Sequence, residues 1–503
     1  MRLTSRAIVT VLALALVAGA CSSKDSGDKA SGTTTTVPVI SRPPGPAATL
    51  AGPLTAGKGI SLAAASAGPS LKDAGYTEAE YTASGTARSY SSAGPLPTDG
   101  RFSLRPAAKA PYTTRIVVRR PARQADFNGT VVVEWLNVSG GTDAAPDYTY
   151  LADELLRSGY AWVGVSAQRI GVEGGAIAVS VPGAAGLGAG KGLKNLDPAR
   201  YGKLTHPGDA YSYDIYTQVA RALRAHGTVD ALGGLEVARV LAAGESQSAF
   251  TLTTYIDGVQ PLTHAFDGFF VHSRGGAPAP LGKAGAGIDI AGSIGGKPTV
   301  IRTDTDVPVI VVETETDLLS VLGYLPAQQP DSKNFRLWEV AGTAHADKFQ
   351  LGPTENILGC SQPINRGQQV FVLRSALSHL DAWVKTGAAP PTAPRLDVSG
   401  TGAAAKYVLD RYGNAKGGIR TPAVAAPVDV LSGVAPPGST LICILMGRTA
   451  QLSPTQLGQL YKSRDQYVTD YTKATDALIK AGFALKADRR QMLAGAQPNR
   501  IAG

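Results

Sequence analysis

LEVARVLAA (235–243) runs directly into GESQS (244–248) and on into AFTLTTYI (249–256). The first stretch is apolar and rich in β-formers, which predicts a buried strand over Leu235–Ala243. The last predicts a helix over Ala249–Ile256. A serine at so sharp a strand-to-helix turn is pushed out over the end of the sheet. The turn tolerates only small residues two positions before and two after, and Gly244 and Ser248 meet that requirement. The common pattern has glycine where Ser248 stands. The steric argument survives this departure, because serine is also small. The helix that follows directs its positive end at Ser246, where negative charge is stabilised.

Outward from this unit, apolar strand-like runs alternate with amphipathic helix-like runs, which predicts a mostly parallel sheet with helices on both faces. Early strands are expected at Tyr81–Tyr90 and Thr114–Arg120. TVVVEWL (130–136) is a strongly buried strand that ends in NVSGG (137–141). A helix at Asp147–Ser158, a strand at Tyr160–Val165 and a helix at Asp209–Ala225 follow. Residues 167–208 are rich in Gly and Ala and break the alternation, as a lid or pocket wall does. Further strands are expected at Phe266–His272, Val307–Glu313 and Phe335–Val340, with a helix at Gly367–Thr386 and a polar helix near Leu457–Ala481.

Two of these strands end on chemistry. VPVIVVE (307–313) leads to Thr314-Glu315-Thr316-Asp317, and FRLWEV (335–340) leads to Gly342-Thr343-Ala344-His345. Open α/β sheets build their sites beyond the carboxyl ends of strands. The order Ser246, Asp317, His345 is nucleophile, acid, base. His345 then accepts the Ser246 proton and returns it to the leaving group, and Asp317 sets the His345 tautomer. Glu313 and Glu315 compete for the acid role; Asp317 is preferred because it lies four residues beyond the strand's last residue. Backbone N–H groups of Gln247 and of Val138 or Ser139 are the expected oxyanion donors. His206, His226, His264 and His379 sit in less suitable contexts. His272 and Arg274 are weaker candidates for the pocket lining, and Arg420 sits beside glycines that allow close approach.

The sequence resembles the α/β-hydrolase superfamily, and more narrowly a group of actinobacterial "α/β hydrolase domain" proteins. The segments that carry the resemblance are EWLNVSGG, DPARYGKLTHPGDAYSYDI, GESQS, FVHSRGG, ETETD, GTAHAD and GNAKGGIRTP, from about residue 75 to 465. The resemblance implies an α/β-hydrolase fold with long insertions, and serine-hydrolase chemistry. It implies no particular substrate. A small-molecule or lipid-like ester is the expected partner. A noncatalytic binding lipoprotein, an amidase and an acyltransferase are the competing readings.

The first twenty residues read as a leader: Arg2 and Arg6 precede the apolar run AIVTVLALALVAGA (7–20), which is too short to span a bilayer. Ala18-Gly19-Ala20-Cys21 is close to a lipobox, so Cys21 is the expected lipidation site and a membrane anchor. Ordinary cleavage and secretion is the alternative. Residues 21–50 are rich in Ser, Thr, Gly and Pro and read as a flexible tether. The expected organisation is leader 1–20, tether 21–50, hydrolase domain 51–390, and a C-terminal extension 391–503 packed on it. The formal charge of +9 is scattered, with no nucleic-acid motif beside it, which argues against a nucleic-acid partner. Cys360 and Cys443 are the two cysteines besides Cys21, and an exported chain is expected to pair them. No metal or cofactor motif is found; the Gly-rich stretch 182–192 lacks a P-loop ending.

Overall fold

The computed structural model describes residues 42–502, apart from 66–67, 184–185, 187 and 226. Cys21 and His226 therefore lie outside the described residues. So do the leader and most of the tether.

Nine strands form one sheet: β1 (Thr49–Ala51), β2 (Tyr76–Ser92), β3 (Leu104–Pro121), β4 (Thr130–Trp135), β5 (Ala161–Val165), β6 (Arg239–Glu245), β7 (Gly268–His272), β8 (Val309–Thr314) and β9 (Phe335–Val340). Their order is β1-β2-β3-β5-β4-β6-β7-β8-β9. The first three strands run antiparallel, and β5 through β9 are parallel. The mostly parallel sheet is the one the alternation predicts, and the fold is the α/β-hydrolase fold that the resemblance implies. Residues along the parallel strands alternate between two apolar cores. Val131, Val133, Val240, Ala242, Val309 and Val311 face one core. Val132, Leu241, Ala243, Ile310 and Val312 face the other. A strand buried on both faces has to be apolar throughout, which is why these runs are unbroken in the sequence. Ile215, Tyr216 and Val219 of the helix Ser212–Ala222 cover the first core. Helices Pro146–Arg157 and Gln369–Thr386 cover the second with Leu151, Leu155, Leu373 and Leu380.

Three expectations shift in the structure. β6 begins at Arg239, four residues after Leu235. The N–H groups of Ala238 and Arg239 both donate to Gly129 O, which marks an irregular entry, and Leu235 is apolar because it packs in the core. The early strands are far longer than predicted, 17 and 18 residues, because alternation is blurred where both faces are partly solvated. The polar C-terminal helix is two helices, Pro454–Leu460 and Arg464–Lys480. Ser453 and Ser463 each cap one of them, accepting from Gln456 N and Gln466 N.

The segment after residue 390 packs on the loops at the carboxyl ends of β8 and β9. Tyr407 OH donates to Glu315 O at 2.5 Å and Thr316 Oγ1 to Gly433 O at 2.7 Å. Ala346 N donates to Leu445 O at 3.1 Å. A disulfide joins Cys360 to Cys443 across 83 residues of sequence. Cys443 lies in the short helix Leu441–Leu445, so the bridge ties that helix to the chain just beyond His345. Closing a loop of this length removes unfolded-state entropy worth about 4.5 kcal/mol. Cys443→Ser is therefore expected to lower the thermal unfolding midpoint by several degrees, read by circular dichroism. Non-reducing peptide mapping should recover the 360–443 cross-link from the native protein, and two free thiols there would contradict it.

Candidate active site

Ser246 stands between β6 and the helix Gln247–Thr254 with φ 56° and ψ −121°. That region is costly for any residue with a side chain, on the order of 1–3 kcal/mol, and the surrounding packing holds it. A Cβ on Gly244 would lie 3.1 Å from Ser248 Cβ and 3.0 Å from Leu252 Cδ1. The close approach explains glycine at 244 and a small residue at 248. Ser246 N donates to His272 O at 3.0 Å, which pins the turn to the neighbouring strand.

His345 hangs from the loop after β9, where Gly342 takes φ 70°. Its Nε2 lies 2.8 Å from Ser246 Oγ, and its Nδ1 lies 2.7 Å from Asp317 Oδ1. Asp317 occupies the first turn of the helix Glu315–Leu319. Its Oδ2 accepts from Thr314 N and Thr314 Oγ1, both at 2.7 Å, as one half of a capping box. One carboxylate oxygen is thus fixed by the helix cap and the other is left for the imidazole. Asp317 is fully buried and His345 is 3 % exposed. Burial lowers the His345 pKa, but the hydrogen bond to Asp317 and the charges of Glu245 and Asp317 outweigh it, so the net direction is upward.

Among the described residues, neither competing carboxylate is hydrogen-bonded to His345. Glu315 accepts from Gly342 N at 2.6 Å and Gly433 N at 2.9 Å, so it stitches the His345 loop to the C-terminal segment. Burial pushes it up to about 7. Glu313 is fully buried and burial raises it well above the ordinary carboxylate range.

The donor groups near Ser246 sort themselves. Gln247 opens its helix, so its N–H has no intrahelical acceptor. Val138 N meets only Gln247 Oε1, at 3.5 Å, the limit of a hydrogen bond. Ser139 N is committed to Asn137 Oδ1 at 2.8 Å, which corrects the expectation that it stands free as a donor. Ser139 O instead accepts from Ala178 N and Val179 N, so the Gly-rich insertion is fastened to the 137–141 loop. Val138, Phe250, Ile170, Ile288, Leu322 and Leu445 form one apolar cluster beside this loop.

Two further expectations need correcting. Arg274, a weaker candidate for the pocket wall for which a surface salt bridge is the stronger expectation, is fully buried, with Nε on Gly275 O, Nη2 on Gly276 O and Thr299 O, and its guanidinium over the Tyr324 ring. His272 is fully buried too, with Nδ1 2.9 Å from Asp147 Oδ1. Neither has exposed surface to offer a ligand. Arg420 pairs with Asp410 at 3.0 Å inside the C-terminal segment. His206, His264 and His379 bond Ala167 O, Asp306 and Gly482 O respectively, away from Ser246.

Sequence reasoning missed two residues. Glu245 Oε1 lies 3.4 Å from His345 Nε2, and Asn137 Nδ2 donates to Glu245 Oε2 at 3.1 Å and to Glu245 O at 3.2 Å. Glu245 occupies the variable position of the serine turn, where pattern alone assigns no role. Among the described residues, no group of three or more His, Cys, Asp or Glu side chains is placed to hold a metal ion.

The sequence matches the family described as "Alpha/beta hydrolase domain" over residues 50–494. No curated protein matches it. Similar solved structures include an α/β serine hydrolase without a lid from Xanthomonas campestris, 12% identical, with 55% of this chain and 90% of that chain covered and a TM-score of 0.28. Est1E from Butyrivibrio proteoclasticus is 11% identical, with 49% and 93% covered and a TM-score of 0.28. A fungal esterase from Rhizomucor miehei is 12% identical, with 61% and 85% covered and a TM-score of 0.30.

Proposed function

We propose, from the premise that this chain belongs to the α/β hydrolase domain family, that it is an exported serine hydrolase that cleaves carboxylic esters through an acyl-enzyme on Ser246. The observation that carries this reading is the unbroken hydrogen-bond chain from Asp317 through His345 to Ser246. In it, His345 Nε2 takes the proton as Ser246 Oγ attacks the ester carbonyl, and Asp317 stabilises the imidazolium. The oxygen that becomes negative is received by Gln247 N–H and Val138 N–H. His345 then protonates the departing alcohol. Water, deprotonated in turn by His345, attacks the acyl-enzyme and releases the acid.

The apolar cluster around Val138 and Phe250 favours a substrate with an apolar acyl or alcohol group over a highly charged one. Stoichiometric labelling of Ser246 by a fluorophosphonate probe, mapped by peptide mass spectrometry, tests the reading. An unlabelled Ser246 in folded protein contradicts it. Amide and acyl-transfer chemistry use the same groups, and product analysis with water and alcohol acceptors separates them.

Export is supported by the leader-like N-terminus and by the disulfide, since such bridges persist in oxidising compartments. Lipidated Cys21 anchors the protein and the Ser/Thr-rich residues after it act as a tether, which ends earlier than the expected residue 50, because Ala48 and Leu50 pack in the core and Thr49–Ala51 pairs with β2. Cys21→Ala is expected to move the protein from the membrane pellet to the soluble fraction. Unchanged processing and pelleting would refute the anchor and leave a secreted hydrolase.

A further inference from the structure

The imidazole of His345 lies between two buried carboxyl groups, only one of which belongs to the hydrogen-bond chain on which the proposed function rests. Asp317 meets Nδ1 at 2.7 Å, and Glu245 approaches Nε2 to 3.4 Å from beside Ser246. Asn137 holds Glu245 there by donating to both its side chain and its carbonyl, while its own Oδ1 accepts Ser139 N. The same asparagine therefore fixes the second carboxyl group and shapes the loop that carries Val138.

We propose that Glu245 is a positioning residue for the reaction: held by Asn137, its carboxylate stabilises the imidazolium that His345 becomes when Nε2 takes the Ser246 proton. The asymmetry between the two charge states is the physical basis. In the neutral imidazole, Nε2 turns a lone pair toward Ser246, and a neighbouring carboxylate gives it no help. Once Nε2 carries a proton, the carboxylate 3.4 Å away faces a cation. An interaction stronger in the charged intermediate than in the resting state lowers the barrier, whereas equal interaction in both does not.

Several other titratable groups face Glu245. His272 at the end of β7 and His345 favour its charged form, while Asp147 on the helix Pro146–Arg157 and Asp317 oppose it. Tyr150, on that same helix, also feels its charge. Burial lowers the His272 pKa and raises that of Asp147 well above the ordinary range, so it works against a charge on either. Glu245 and Asp317 are the carboxyl groups that approach the His345 imidazole directly. Burial pushes Glu245 up to about 7, so its charge is in place on the alkaline side of neutrality.

The test follows the downfield imidazole N–H proton of His345 by NMR in the full-length protein, assigned by its loss in His345→Ala. Removing the neighbouring negative charge in Glu245→Gln should lower the pH midpoint of the imidazolium by about one unit or more. It should also reduce kcat at alkaline pH about tenfold with KM nearly unchanged, as expected when stabilisation of the charged intermediate alone is lost. Glu245→Asp, which keeps the charge, should recover part of the midpoint. A midpoint and kcat equal to wild type in folded Glu245→Gln overturn the proposal. If that variant does not fold, Asn137→Ala is read in its place: a lowered midpoint supports the proposal and an unmoved one overturns it. The NMR midpoint is independent of turnover. Wild type that hydrolyses no ester would thus defeat the proposed function, while the midpoint still decides the role of Glu245.

Discussion

Ser246→Ala is expected to lower ester turnover by about a million-fold, leaving only the residual rate that the oxyanion donors and substrate binding supply, with the fold intact. Without Oγ no acyl-enzyme forms, and the donors at Gln247 and Val138 can assist only direct attack by water. His345→Ala should cost about as much, because nucleophile and base act as a unit and losing either removes most of what the set supplies. The double variant should then be scarcely worse than either single one. A small p-nitrophenyl ester is the suitable substrate, since it demands little specific binding. The measurement is kcat/KM for purified wild type and variants, with circular dichroism to confirm folding. Activity in Ser246→Ala comparable to wild type would defeat the mechanism. Ser246→Ala should also relieve a little backbone strain only if the turn relaxes. Alanine has a Cβ as serine does, so φ 56° stays costly and little gain in stability is expected.

Asp317→Asn is expected to lower kcat by about ten-thousand-fold. The carboxamide can still occupy the helix cap, but it can present an N–H to His345 Nδ1. That favours the tautomer with the proton on Nε2, which cannot accept from Ser246. Glu315→Gln is the control. Its carboxyl group contacts Gly342 N and Gly433 N and does not touch the imidazole. Its removal should lower the unfolding midpoint and change turnover only modestly. The opposite pattern, a large loss of kcat in Glu315→Gln with little in Asp317→Asn, would keep the mechanism and move the acid to Glu315. Both variants are to be assayed at a pH above 7, where the carboxyl group of Glu315, pushed up to about 7 by burial, is mainly ionised in wild type.

The parallel strands were legible in the sequence because each is buried on both faces, and double burial leaves a short unbroken apolar run whose length and β-branched residues distinguish it from a buried helix. Strand boundaries were less legible. Leu235 is apolar for packing and not for pairing, so composition alone extended β6 too far toward its start. The Ser246 turn could be read because its steric demand acts locally, through Gly244 and Ser248, within five residues. The order of Ser246, Asp317 and His345 along the chain could also be read, as could their places just beyond strand ends.

Which carboxylate reaches His345 was a tertiary matter. Asp317 and Glu315 are two residues apart in one short helix, and their side chains leave it in different directions. Only the packed position of the β9 loop decides that one meets Nδ1 and the other meets backbone amides. The same holds for Ser139, whose N–H is taken by Asn137, and for Arg274, which is fully buried and donates to backbone carbonyls. Glu245 shows the limit most directly. Its neighbours in sequence say nothing of His345, 100 residues away, and its proximity to Nε2 arises because parallel strands bring their carboxyl ends to one edge of the sheet.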